Sequence, residues 1–365
     1  MPTFFLILGS VYLAGNAYIF IRGAQALTAQ PFGVKMLLTL LFWGGALSLF
    51  GSLLTRNLKM PPYIAHTMHE VGTGWLIFTL YMVLFLIVFD LLKLFNIPFK
   101  YGFYLSFFLT LSLLGYGYYN YQNPRTEVIN IVINKQESSN QQPVKIVAVS
   151  DIHLGYGTDK AELKQYVRMI NEQNPDLILI GGDLIDNSVV PLYAENMKKE
   201  LDELKAPLGI YMVPGNHEYI SGIGESIRFI KDTPIRLLQD SVVTLPNGIQ
   251  LVGRDDRSNR SRRSLEELIA NIDTAKPVIL LDHQPYNLVE TQASGIDLQF
   301  SGHTHRGQVW PVSLLTDHIF DQSHGYRQWG NSHVYVSSGL SLWGPPFRIG
   351  TNSEMVVFLL TTGKR

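Results

Sequence analysis

The chain has 365 residues with 29 Lys and Arg against 30 Asp and Glu, a formal net charge of -1, so it lacks the basic excess that nucleic-acid binding normally needs. It contains no cysteine, which excludes disulfides and thiolate metal sites and leaves nitrogen and oxygen as ligands for any metal. The length allows one large domain plus a second unit, and the composition changes near residue 122: before it the charged residues are Arg22, Lys35, Arg56, Lys59, Glu70, Asp90, Lys93 and Lys100 alone.

Four apolar stretches, 3–21, 34–54, 73–95 and 102–120, are each long enough to cross a hydrocarbon core of about 30 Å, which takes about 20 helical residues. The first lacks the basic flank of a signal peptide and three more follow, so residues 1–121 are expected to form a four-helix transmembrane anchor. Loops one and three carry Arg22, Lys35, Lys93 and Lys100, against Arg56 and Lys59 in the second loop and Arg125 after the last span. By the positive-inside rule this bias places both termini, and the domain that follows, on the extracytoplasmic side of a cell membrane. Tyr116, Tyr118, Tyr119 and Tyr121 read as an interfacial aromatic belt, and Asp90 beside Lys93 as a charge snorkelling at the end of its span. His66, His69 and Glu70 fall in the second loop without the further ligands a metal would need.

Residues 122–143 are polar around one apolar run, Val128–Ile133, and read as a linker with a possible edge strand. From 144 to 365 apolar β-branched runs alternate with amphipathic stretches, the signature of an α/β domain. Strands are expected near 144–150, 177–181, 208–213, 249–253, 277–281, 297–300 and 334–337. A helix is expected over 160–173, where Leu163, Tyr166, Val167 and Ile170 follow an Asp159 cap at helical spacing, with similar stripes at 195–205 and 263–272. Open α/β sheets bind ligands beyond the carboxyl ends of their strands, and five of these strands run into metal-ligand residue types.

The first strand leads into Asp151-Ile152-His153, whose alternate residues share one face of an extended chain. The second ends in Gly181-Gly182-Asp183, where small residues permit a sharp turn and present a carboxylate able to bridge two cations. Later strands end in Gly215-Asn216-His217-Glu218, Asp282-His283 and Gly302-His303-Thr304-His305. In order, type and strand-end placement these blocks resemble the calcineurin-like metallophosphoesterases, whose pattern runs D-x-H, G-D, G-N-H-[DE], H, G-H-x-H. The likeness covers about 144–350, and the continuation through Tyr335-Val-Ser-Ser-Gly339 and Trp343-Gly-Pro-Pro-Phe-Arg348 looks most like the membrane-associated phosphohydrolase branch.

The resemblance implies an α/β/β/α sandwich of two mixed sheets flanked by helices, and two divalent metal cations, with manganese, iron and zinc all compatible with the ligand types. It assigns Asp151, His153, Asp183 and His305 to one cation and Asp183, Asn216, His283 and His303 to the other. Two such ions can share a hydroxide and aim it at phosphorus, so no nucleophilic side chain is required. His217 is implied to stabilise the phosphoryl group or protonate the leaving oxygen, with Asp186 orienting it. The arginine that follows this aspartate in the protein-phosphatase branch is replaced by Asn187, which counts against a phosphoprotein substrate; Arg254, Arg306 and Arg348 are candidates to replace its grip on phosphate.

The expected activity is hydrolysis of a phosphate ester or pyrophosphate, with a phosphorylated small-molecule or lipid-linked substrate near the membrane. A membrane sensor or transporter with a regulatory metal domain is the alternative, and would require a polar path through the spans, where only Asp90 offers one. A nuclease using the same cage would require a basic groove. The segments 187–194, 219–225 and 311–332 are the expected substrate-selecting loops; no residue in them identifies a ligand, and nothing in the sequence fixes an oligomeric state.

Overall fold

The computed structural model describes residues 2–55, 61–135 and 143–363, so Arg56 and Lys59 of the second loop and the latter part of the expected linker lie outside the described residues. The chain divides into two compact units, Met1–Tyr119 with Gly344–Phe347, and Asn120–Trp343 with Arg348–Arg365.

The first unit is built from helices α1 (Pro2–Ala26), α2 (Phe32–Thr55), α3 (Pro62–Leu94) and α4 (Gly102–Gln122). Among the described residues three stretches are long and apolar enough to cross a membrane: Leu6–Ala26, Phe32–Leu54 and Tyr63–Leu94. The expected fourth span forms a helix but does not join them, because Tyr116, Tyr118, Tyr119, Asn120, Tyr121 and Gln122 dilute the apolar run at its end. Tyr121 is no belt residue: it is buried and donates to Glu162 Oε1 at 2.7 Å. α3 also starts earlier than expected, so His66 and Glu70 lie one helical turn apart, at 3.6 Å, rather than in a loop.

Two polar clusters within this unit are paired, as a low-dielectric environment favours. Asn16, fully buried, accepts from Trp75 Nε1 (2.9 Å) and Thr79 Oγ1 (3.3 Å) and donates to the Tyr12 carbonyl (2.9 Å). Asp90 takes Arg22 Nη2 and the Tyr18 hydroxyl, each at 2.5 Å, so its partner is Arg22 on α1 rather than the neighbouring Lys93.

The second unit holds twelve strands: β1 (Arg125–Ile133), β2 (Val144–Val149), β3 (Leu177–Ile180), β4 (Ile210–Met212), β5 (Ile235–Leu237), β6 (Ser241–Thr244), β7 (Gln250–Gly253), β8 (Val278–Leu281), β9 (Leu298–Ser301), β10 (Gly325–Trp329), β11 (Ser332–Val336) and β12 (Glu354–Thr362). They form two mixed six-stranded sheets, ordered β1-β12-β2-β3-β4-β5 and β10-β11-β9-β8-β7-β6. β2, β3, β4 and β5 pair in parallel, as do β7, β8, β9 and β11; β12 runs antiparallel to β2.

The alternation of side chains along each strand explains the layering. Ile146 and Ala148 of β2 join Leu251, Ile279, Leu281, Leu298 and Phe300 of the other sheet in one core between the sheets. Val147 and Val149 face the opposite way, onto helix α5 (Lys160–Glu172) through Leu163, Tyr166, Val167 and Ile170. On the far side Val252, Val278 and Leu280 pack against Leu265 and Leu268. α5 forms where its stripe and cap place it, with Asp159 accepting from the backbone of Ala161 and Glu162 in a capping box. The other expected helices are shorter, at Lys198–Leu201 and Leu265–Ile269.

Candidate metal centre

The expected ligands all lie just past the carboxyl ends of parallel strands: Asp151 and His153 after β2, Asp183 after β3, Asn216 after β4, His283 after β8, and His303 and His305 after β9. To turn these side chains inward the backbone adopts left-handed conformations at Asp151 (φ 55°), His153 (φ 50°), Asp183 (φ 52°), His303 (φ 72°) and His305 (φ 46°). For residues other than glycine such conformations cost of order 1–3 kcal/mol each, and they persist at sites whose geometry matters more than local ease. Two glycines permit the close approach. A Cβ on Gly302 would overlap Ser150 and the Asp151 carboxylate, and one on Gly215 would overlap the Asp183 carboxylate.

The donor atoms converge in two sets. In the first, His153 Nε2 and His305 Nε2 face each other at 3.1 Å, with Asp151 Oδ1 at 3.5 Å from His305 Nε2 and 3.9 Å from His153 Nε2. In the second, Asn216 Oδ1 lies 2.8 Å from His303 Nδ1 and 3.3 Å from His283 Nε2, which is itself 3.1 Å from Asp183 Oδ2. Asp183 Oδ2 also stands 3.9 Å from His153 Nε2, so one carboxylate oxygen belongs to both sets. Imidazole nitrogens about 3 Å apart beside carboxylates suit ligands sharing an ion at about 2.1 Å. The residues present therefore fit a divalent metal.

Surrounding bonds fix these ligands in place. His283 Nδ1 donates to the Gly181 carbonyl at 2.8 Å, which directs Nε2 into the site, and both Asp151 carboxylate oxygens accept from His303 N, at 3.0 and 3.1 Å. Asp183 Oδ1 accepts from His217 N at 2.8 Å. Burial and neighbouring positive charge from His153 keep His305 neutral, with a pKa well below the usual value, and burial pushes His303 down to about 4. Burial would lower His283 too, yet the Asp183 carboxylate overrides it and holds the imidazole well above its usual pKa.

His217 and Asp186 sit beside this cluster. His217 Nδ1 is 3.1 Å from Asp186 Oδ1, which is also 3.5 Å from His153 Nδ1, while Asp186 Oδ2 accepts from Asn187 at 2.5 Å. Burial would raise Asp186, but the two imidazoles outweigh it and hold the carboxyl well below the usual range. Burial would likewise lower His217, and Asp186 with Asp183 instead raises it to about 9.

Two of the three arginines considered for phosphate are engaged elsewhere. Arg254 Nη1 pairs with Asp282 Oδ2 at 3.2 Å. Arg348 is fully buried and donates to the carbonyls of His305 (3.0 Å), Ser338 (2.5 Å), Gly339 (3.2 Å) and Ser341 (2.6 Å), so it fastens the ligand loop rather than meeting substrate. Glu218, the acidic residue that closes the Gly215-Asn216-His217-Glu218 block, carries no role legible in the sequence. Its carboxylate accepts from the backbone of Asp183 (3.0 Å), Ile185 (2.9 Å) and Gly215 (2.7 Å), tying two ligand turns together, and burial with the adjacent Asp183 raises it to about 7.

Known proteins carry the same domain. The calcineurin-like phosphoesterase family matches residues 144–307. An uncharacterized metallophosphoesterase of Helicobacter pylori is 35% identical over 269 residues, spanning 71% of this chain and 69% of its own. A transmembrane protein with metallophosphoesterase domain from Danio rerio is 32% identical over 273 residues, 70% of this chain and 62% of its own. With its strand-end clusters of aspartate and histidine, the chain belongs to the calcineurin-like metallophosphoesterases and is a metal-dependent phosphoesterase.

Proposed function

We propose that the chain hydrolyses a phosphate ester or pyrophosphate of a membrane or envelope molecule, using two divalent cations held by Asp151, His153, Asp183 and His305 and by Asp183, Asn216, His283 and His303. The observation that carries this reading is Asp183 Oδ2, which lies within 3.9 Å of a donor from each set and so offers one bridging oxygen. When bound, divalent cations held by these residues would supply Lewis acidity for phosphoryl oxygens and water near neutral pH. Imidazole and carboxylate donors suit manganese, iron or zinc.

The chain's own groups handle orientation and the proton. His217 Nδ1 donates to the Asp186 main-chain carbonyl at 3.2 Å, and the Asp186 carboxylate 3.1 Å away favours the charged imidazole, which leaves Nε2 to carry the proton that the departing oxygen needs. The same carboxylate oxygen stands 3.5 Å from His153 Nδ1.

The full chain in detergent, supplied with manganese, tests the reading on bis-p-nitrophenyl phosphate and p-nitrophenyl phosphate. Turnover should fall by about 10² or more in His217→Ala. Inactivity of the parent on both esters and on lipid-linked phosphates would sink it.

A further inference from the structure

On the helix Val312–Ile319 Ser313 is buried, while Val312, Leu314, Leu315 and Ile319 are exposed at 39, 60, 57 and 53%, next to exposed Asp317 and His318. A surface helix ordinarily turns its apolar side chains inward, so an outward apolar stripe marks a contact with something apolar.

Its placement ties that contact to the metal centre. The helix begins directly after the turn carrying His305, and Gly307 packs so closely that a Cβ there would lie 2.6 Å from Ser313 N. At its far end the Phe320 ring stands edge-on to His303, centroids 6.1 Å apart, and Thr304, between the two histidines, donates to the Ser323 carbonyl at 2.5 Å. Both ends of the helix are thus fixed to the His303–His305 turn, so its exposed aliphatic side chains sit on an element anchored to the reacting centre.

The chemistry of the stripe selects its occupant. No Lys or Arg occurs from Gly307 to Tyr326, so a polyanion finds no counter-charge there. Hydrocarbon is what four outward aliphatic side chains can bury, and three helices of this same chain are long and apolar enough to lie in a bilayer. We infer that Val312, Leu314, Leu315 and Ile319 receive the hydrocarbon portion of an amphiphilic phosphoester presented at a bilayer, with its phosphate reaching the adjacent cluster. This rests on the phosphoesterase reading above and narrows its substrate to a lipid class.

Two esters differing only in their tail test it: methyl p-nitrophenyl phosphate and hexadecyl p-nitrophenyl phosphate. In each, water oxygen bonds to phosphorus and p-nitrophenolate leaves. The full chain in phosphatidylcholine nanodiscs with manganese should prefer the hexadecyl ester in kcat/KM. Partitioning into the bilayer raises that rate by itself, so the readout is the change in the hexadecyl-to-methyl ratio on substitution. In Leu314→Glu with Leu315→Glu the ratio should fall about tenfold or more. Leu314→Ser with Leu315→Ser is a milder pair that keeps the ratio readable should the glutamates disturb folding, and it should move the ratio the same way. An unchanged ratio in both pairs, or a parent without chain preference, overturns the inference while leaving the phosphoesterase reading intact; a parent inactive on both esters removes both.

Discussion

At the residue scale, protons and a cation compete for the same imidazoles. His283 points Nε2 at Asp183 from 3.1 Å, and its raised pKa keeps it protonated near neutral pH in the metal-free protein. A ligand nitrogen must give up that proton, so loading should release protons, and apparent metal affinity should rise with pH. The sign for stability follows: a histidine with a raised folded-state pKa stabilises the metal-free fold fully below about pH 6.5 and loses that contribution as pH rises through the folded pKa. Calorimetric manganese titration in buffers of different ionisation enthalpy measures the release; zero net release at neutral pH would contradict the assignment of His283. Arg348 makes a second prediction. Its four carbonyl contacts are buried, so Arg348→Met strands several of them and should cost about 3 kcal/mol in denaturant unfolding, with weaker manganese binding because His305 loses its backbone anchor. Unaltered stability and metal binding would show that the clamp is dispensable.

At the scale of elements, the strand-end placement of the seven expected ligands and the helix α5 were legible because local chemistry specifies each: a stripe with a cap, or a polar dyad at a strand end. β5, three residues long, shows no period to read. β12 is a run of nine residues buried along most of its length, inserted between β1 and β2, and its role depends on pairing that no local pattern displays. The role of Glu218 was not legible because it binds backbone amides brought together from separate turns. The expected fourth span shows the reverse error, since aromatic and polar residues at the end of α4 had been read as belt rather than as dilution. The number of crossings bears on topology. Three crossings would put the C-terminal unit on the side of Arg22, Lys35, Lys93 and Lys100, which the positive-inside rule assigns to the cytoplasm, whereas a fourth crossing would place it outside. Fusions of green fluorescent protein and of alkaline phosphatase to the C terminus decide this: fluorescence is expected from three crossings, and phosphatase activity would show that α4 crosses.

At the scale of the whole molecule, two stacked sheets bring strand ends from both to one place, and the left-handed ligand residues are held there by core packing on three layers. Metal binding should repay that arrangement, because a ligand bound only by the native state stabilises it in proportion to the logarithm of its concentration over Kd. The central claim is that two cations share Asp183. The most direct measurement is manganese-dependent hydrolysis of bis-p-nitrophenyl phosphate, followed against bound metal, by the chelated full chain and its Asp183→Asn variant. The account predicts that activity appears only as a second equivalent binds and that the variant loses both activity and one equivalent; full activity at a single equivalent, or an active Asp183→Asn, would contradict it.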